Sequence, residues 1–318
     1  MTTLERETSE ATRPLPRHRG VVGGRSYWWY LLPGFALLAI VIIVPLGWNI
    51  YLSFTDYRGV VSPQWIGLEN WTRLLGDATF WLSFRNSIAM IIAMVLVPTL
   101  VGLVLAAALF DVIGRKFGSK LASFLRATYY LPQIIPAVVA AIVIGWILRS
   151  ENGALNELLG MVGLGSLERN WLGDPSTALI SIMAVLVWVQ IGYPVVIFMA
   201  ALERVDPELY EAAEVDGAGW FRRFHAITLP QIRPETFVVA LTCTIAALKV
   251  FAPVYALTGG GPNNATIVPS YYTYSQFFQS QQVGYGATIA TALTIVILAV
   301  SILFVVAQTR SERADQGH

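Results

Sequence analysis

The 318-residue chain is 55% hydrophobic and 13% charged, with a mean hydropathy of +0.59 and a formal net charge of +1. That balance is too apolar for an ordinary soluble surface and lacks the basic field that recruits nucleic acid, so the chain needs lipid to face and no nucleic acid is expected as a partner. Cys243 is the single cysteine and sits in an apolar run, which excludes a disulfide framework or a cysteine metal site built within the chain.

Crossing about 30 Å of hydrocarbon takes roughly 20 apolar residues in a helix. Residues 1–26 are rich in Arg, Glu, Thr and Pro without apolar periodicity, and a disordered tail is expected there. Six apolar runs follow: Tyr30 to Tyr51, Ser87 to Phe110, Ala127 to Leu148, Ala178 to Leu202, Phe237 to Leu257 and Ala287 to Val306. The first is longer than a signal-peptide core and no small-residue cleavage pattern closes it, so it reads as an uncleaved anchor. Pro33, Pro45, Pro98, Pro132, Pro136, Pro194 and Pro253 fall inside the runs, where neighbouring helices can satisfy freed carbonyls, and kinked helices are expected. The expected fold is an all-α integral membrane domain of six transmembrane helices over 27–307, followed by a tail over 308–318.

Orientation follows from Lys and Arg, which concentrate in cytoplasmic connections. With the N-terminus inside, the cytoplasmic segments hold fifteen of them and the outer loops only Arg58, Arg73, Arg85, Arg149 and Arg169, which makes fifteen against five. Both termini are therefore expected in the cytoplasm, with Tyr27, Trp28, Trp29 and Tyr30 as an aromatic belt at the inner interface.

The cytoplasmic connection between the fourth and fifth runs, 203–235, has the pattern of two short helices. Asp206 can cap free N–H groups, Pro207 suits the first helical position and Glu208 the positive end of the dipole. Gly217 and Gly219 break that helix, Trp220 to Ile227 can form a second, and Pro230 and Pro234 are expected to stop it. Leu209, Tyr210, Val215, Trp220, Phe221 and Phe224 give the hairpin more apolar surface than a loop in water should carry, while its charges forbid insertion. Two readings fit: a docking surface for a protein partner, with Glu211, Glu214 and Asp216 for partner arginines, or an amphipathic hairpin packed on its own bundle.

Glu211-Ala212-Ala213, Asp216-Gly217-Ala218 and Ile227-Thr228-Leu229-Pro230 closely resemble the coupling-loop (EAA) motif of permease subunits of bacterial ABC importers, over twenty residues with the family's internal spacing. Thr258-Gly259-Gly260-Gly261-Pro262 looks like the first of the two sugar permeases, the maltose and glycerol-phosphate type, although no large outer domain is present. The resemblance implies the type I ABC importer permease fold in a bacterial plasma membrane. It implies a heterodimer with a second permease, two copies of an ATPase that hold the ATP and magnesium, and an extracytoplasmic solute-binding protein, with no cofactor in this chain. Carried over, Glu211 pairs with an ATPase cation, Ala212 and Ala213 permit close docking, Gly217 supplies the bend, and Leu229 and Pro230 fix the second helix, with Asp216 and Phe224 part of the same coupling element.

A sugar is held by hydrogen bonds matched to its hydroxyls and by an aromatic face against its ring. In the fourth run Gln190 and Tyr193 share a face beside Pro194; in the fifth, Thr242, Ala246 and Lys249 do. Tyr193 as platform with Gln190, Thr242 and Lys249 as donors is one reading, and the resemblance places the substrate pocket on these two helices. Lys249 snorkelling toward the surface and Gln190 or Tyr193 packing against a second permease are the others. An embedded enzyme lacks support, since His18, His225 and His318 are scattered and no HExxH, GxSxG or carboxylate pair lies in a run. A self-sufficient secondary transporter or channel rests on Lys249 alone. Gly114 to Lys120 lacks Walker A spacing, so any nucleotide chemistry belongs to another chain.

Overall fold

The computed structural model describes residues 26–110 and 117–316, which divide between Trp48 and Asn49 into two compact units. The expected N-terminal tail lies outside the described residues up to 25. Among the described residues every regular element is helical.

Four helices among the described residues are long and apolar enough to cross a membrane: α1 (Trp28–Leu52), α3 (Ala78–Phe110), α7 (Pro175–Leu202) and α13 (Val283–Gln316, with its apolar part at Val283–Arg310). They match the first, second, fourth and sixth apolar runs. α2 (Glu69–Leu75) precedes α3, and α13 continues without interruption past residue 307.

The other two runs are not single kinked helices. The third is α4 (Ser119–Ile134) and α5 (Ala137–Ile147), bent by 94°. Pro136 explains the turn: its ring pushes Ile135 out of the helical region to φ −68°, ψ 130°, and Pro136 then opens α5. The fifth run is likewise divided, into α10 (Arg233–Leu248) and α11 (Ala252–Leu257). Pro253 can neither donate nor tolerate the Lys249 carbonyl one turn back, so the helix ends at Leu248 and restarts with Pro253 in its first turn.

Two other prolines stay inside helices because the preceding turn widens. The π turn Ala39–Ile43 comes two residues before Pro45, and the π turn Phe224–Thr228 two residues before Pro230. In each, the carbonyl that the proline ring would strike lies in the widened turn.

Within residues 49–318, α3 packs on α7, α10 and α12 (Pro269–Tyr274). One buried cluster gathers Met90, Ile182, Leu186, Ala247, Val254 and Ile289; a second gathers Leu109, Val195, Phe198, Leu202, Ile232 and Val239. The close approach of α4 to α7 depends on Gly192, where an added Cβ would lie 2.3 Å from the Tyr129 carbonyl oxygen. Loops are tied to the bundle by buried amides: Asn86 donates to the carbonyls of Ala265 and Ile267 at 3.0 and 2.9 Å, and Asn70 to that of Thr55 at 2.8 Å.

Asp77 holds one end of this unit. Its Oδ1 caps α3 by accepting from the Thr79 and Phe80 amides at 2.8 and 3.3 Å, while its Oδ2 accepts from the Tyr272 and Tyr285 hydroxyls. Partial burial alone would raise its pKa, but these phenol and amide hydrogen bonds outweigh it and hold the carboxyl below its ordinary value. The folded state therefore gains stability from Asp77 at neutral pH and loses it as pH falls below about 4 through the lowered value. Asp77→Asn should remove that part of the acid sensitivity, measured as the difference in thermal midpoint of the purified protein between pH 7 and about pH 3, below the ordinary carboxylate value. Gly192→Ala should destabilise the protein by about 1–3 kcal/mol through overpacking against the α4 backbone, visible as a lowered midpoint at constant pH.

Candidate functional site

The segment after α7 folds as the two-helix hairpin that its residues predict. Asp206 Oδ1 accepts from the Glu208 amide at 3.0 Å, and Pro207 opens α8 (Pro207–Val215). The helix ends in a Schellman turn: Ala218 N–H bonds the Ala213 carbonyl at 2.9 Å and Gly217 N–H that of Glu214 at 3.0 Å, with Gly217 at φ +71°. A Cβ on Gly217 would meet nothing within 4 Å, so the glycine serves the backbone conformation and not the space around it. The second helix, α9 (220–231), runs through Pro230 to Gln231. The expected stop at Pro230 does not occur, because the π turn before it already bonds Leu229 N–H to the Phe224 carbonyl; Pro234 instead opens α10.

The hairpin has an inner and an outer side. Inward, Tyr210 and Thr228 are buried with their hydroxyls 2.9 Å apart, and Val205 and Ile232 are buried beside them in the chain. Arg223 bonds Glu214 at 3.0 Å across the two helices, and Trp220 stacks on half-buried Phe224 at 5.2 Å. Glu211, Ala212, Asp216, Gly217, Leu229 and Pro230 are exposed and Ala213 half-exposed. Val215 and Phe221 are 88% and 70% exposed, which is apolar surface outside the hairpin's own packing. At its root Arg204 pairs with Glu235, joining the ends of α7 and α10, and Arg126 of α4 lies 3.6 Å from Glu203.

The four polar residues singled out inside the apolar runs are divided by the structure. Gln190 is buried and its Nε2 donates to Cys243 Sγ at 3.3 Å. Tyr193, one turn further along α7, donates its hydroxyl to Thr242 Oγ1 at 3.3 Å, and Thr242 is exposed. These two bonds stitch α7 to α10. Lys249 is not in a continuous helix: it is the first residue beyond α10, exposed, and has no salt-bridge partner among the described residues. A cation there complements the carbonyl end of the helix dipole.

Sequence reasoning passed over Gln133 on α4, whose buried Oε1 has no hydrogen-bond partner; a glutamine between Pro132 and Pro136 in an apolar run was the available signal. It also passed over an aromatic cluster two residues past Lys249. Phe251 stacks on Tyr255 at 5.5 Å, and Tyr274 lies 5.3 Å from both. Tyr274 belongs to a segment too polar to register as a span. No group of His, Cys, Asp and Glu that could hold a metal occurs among the described residues.

The model of the family described as binding-protein-dependent transport system inner membrane component matches residues 99–314, from the middle of α3 through the hairpin and into α13. The chain belongs to that family. It is 36% identical over 276 residues to the probable ABC transporter permease protein YurN of Bacillus subtilis, covering 86% of this chain and 92% of that one. It is 34% identical to the diacetylchitobiose uptake system permease protein NgcF of Streptomyces coelicolor (91% and 83% covered), and 29% identical to the lactose transport system permease protein LacF of Rhizobium radiobacter (87% and 91%). Its fold is that of a chain in the crystal structure of a bacterial ABC transporter importing alginate, with a TM-score of 0.78 at 22% identity over 90% of this chain and 96% of that one. As a permease subunit of an ABC importer it has no catalytic centre of its own, and the self-sufficient transporter or channel is set aside.

Gly217→Val should loosen the end of α8 by roughly 1–2 kcal/mol, the cost of a left-handed conformation for a residue with a Cβ. Gly217→Asn should be milder. Hydrogen exchange of the α8 amides checks both.

Proposed function

We propose that this chain is one of two permeases in a bacterial sugar importer. It crosses the plasma membrane six times with both termini in the cytoplasm, α4–α5 and α10–α11 serving as broken spans. The exposed Glu211-Ala212-Ala213 edge of α8 carries this reading. It presents a carboxylate and two small side chains on a hairpin whose inner side is locked by Tyr210 and Thr228, which suits docking into a groove of a partner ATPase. The uptake systems named for NgcF and LacF, which carry diacetylchitobiose and lactose, support a sugar as cargo.

The partner ATPase pair binds ATP and magnesium. Its closure pushes α8, and α7 and α10 carry that displacement to the substrate path. An extracytoplasmic solute-binding protein delivers the sugar, whose hydroxyls meet Thr242 and Lys249 and whose ring meets Tyr193, while Gln190, buried against Cys243, is withdrawn from the expected contact set. Lys249, beside a break in its helix and lacking an ion pair among the described residues, suits an oxygen-rich cargo.

The test is reconstitution of the chain with its partner subunits in liposomes, followed by ATP-driven uptake of a disaccharide. Glu211→Arg should abolish recovery of the ATPase with the complex, through charge reversal at the docking edge. ATPase recovery and coupled uptake unchanged in Glu211→Arg would mean that the hairpin only packs on its own bundle. Thr242→Val and Lys249→Ala should each raise the half-saturating sugar concentration about five- to tenfold, the loss of one hydrogen bond, while ATPase recovery stays at the wild-type level.

A further inference from the structure

Two cavities at the end of α7 away from the hairpin meet at Leu148. The first, of about 460 Å³, is lined by Ile144 and Leu148 of α5, Leu155 of α6 (Ala154–Met161) and Ile180, Val185 and Trp188 of α7. Thr177 and Ser181 also line it, but their hydroxyls bond the Trp171 carbonyl at 3.1 and 3.0 Å, and the Trp171 indole N–H bonds Asn156 Oδ1 at 2.7 Å. The polar groups of this groove are thus committed to one another, and the surface left for an occupant is hydrocarbon. The second cavity, of about 430 Å³, is lined by Arg149, Ser150, Glu151, Asn152 and Asn170. Asn156 holds its rim by donating to the carbonyls of Ser150 and Arg169 at 3.2 and 3.0 Å.

Depth selects the occupant. Thr177 to Trp188 is eleven residues along α7, about 16 Å at helical rise, which is half of the roughly 30 Å hydrocarbon thickness. A groove of one leaflet suits an acyl chain, whereas a transmembrane helix of another chain would need both leaflets. Charge selects the headgroup. Arg149 and Glu151 line the same polar cavity, and neither has a salt-bridge partner among the described residues. An anionic lipid would satisfy only the arginine.

We propose that this two-part groove is a binding site for a zwitterionic phospholipid of the phosphatidylethanolamine type. One acyl chain lies along Ile180, Val185 and Trp188, the phosphate meets the Arg149 guanidinium, and the primary ammonium meets the Glu151 carboxylate. The site rests on insertion of the chain in a bilayer and is independent of the sugar reading.

The experiment is native mass spectrometry of the whole importer released from nanodiscs of phosphatidylglycerol containing a minor fraction of phosphatidylethanolamine. The expected result is one phosphatidylethanolamine retained per copy of this chain. Arg149→Ala should lower that retention about tenfold, the loss of one charge-assisted hydrogen bond. Ala184 also lines the apolar groove, and Ala184→Trp, which fills it, should lower retention at least as much. Glu151→Gln, which keeps the side-chain shape, should shift the retained lipid toward phosphatidylglycerol without reducing the total. Three results would each overturn the proposal: preferential retention of phosphatidylglycerol by the wild type, retention unchanged in both Arg149→Ala and Ala184→Trp, or efficient disulfide crosslinking of Ala184→Cys to a cysteine on another subunit.

Discussion

Hydrocarbon offers no hydrogen-bond partner, so every backbone amide and carbonyl inside the membrane must find one within the protein. The four long helices meet this condition by construction. Where the chain breaks a helix, the freed groups are recovered nearby: the Ser270 hydroxyl takes the Val250 carbonyl beside the α10–α11 break, and Ala140 N–H takes the Pro136 carbonyl just past the α4–α5 bend. The cost of interruption confines irregular backbone to a few places. Lys249 and the Phe251, Tyr255 and Tyr274 rings gather at one of them.

Much of this was legible in the residues, because apolar length and charge-free composition are read directly from a sequence. The hairpin was legible for a different reason. Its ends are written in residues with narrow uses, Asp206-Pro207 at a helix start and Gly217 at a helix stop, and each stands where its chemistry requires. Proline was the weak point. The same residue sits within α3 at Pro98, turns the chain through a right angle at Pro136, divides an apolar run at Pro253 and is absorbed by a π turn before Pro230. Which of these happens depends on whether a neighbouring turn can widen, and that is decided by packing, not by local composition. The Gln190–Cys243 and Tyr193–Thr242 pairs were beyond reach for a related reason: each residue's face was readable, but the register between α7 and α10 is set by the whole bundle.

The hairpin combines two requirements that usually conflict, a rigid inner side and an adaptable outer one. The buried hydroxyl pair of Tyr210 and Thr228, the Arg223–Glu214 bridge and the Trp220–Phe224 stack fix α8 against α9. Glu211, Ala212, Val215 and Phe221 remain turned away from that packing. Such a division lets an element bear load without deforming, since displacement of its outer surface reaches the inner contacts before it can be dissipated in loop motion.

The Arg204–Glu235 pair closes the base of the hairpin by joining the end of α7 to the start of α10. Further up, the same two helices are pinned again by Tyr193 to Thr242 and by Gln190 to Cys243. With ties at both heights, α7, α10 and the hairpin form a single braced frame, so that under the proposed docking a push on α8 would be delivered as a tilt of that frame. Tyr193 and Thr242 thus belong to one rigid unit, and any displacement that leaves these ties intact keeps the spacing between them constant.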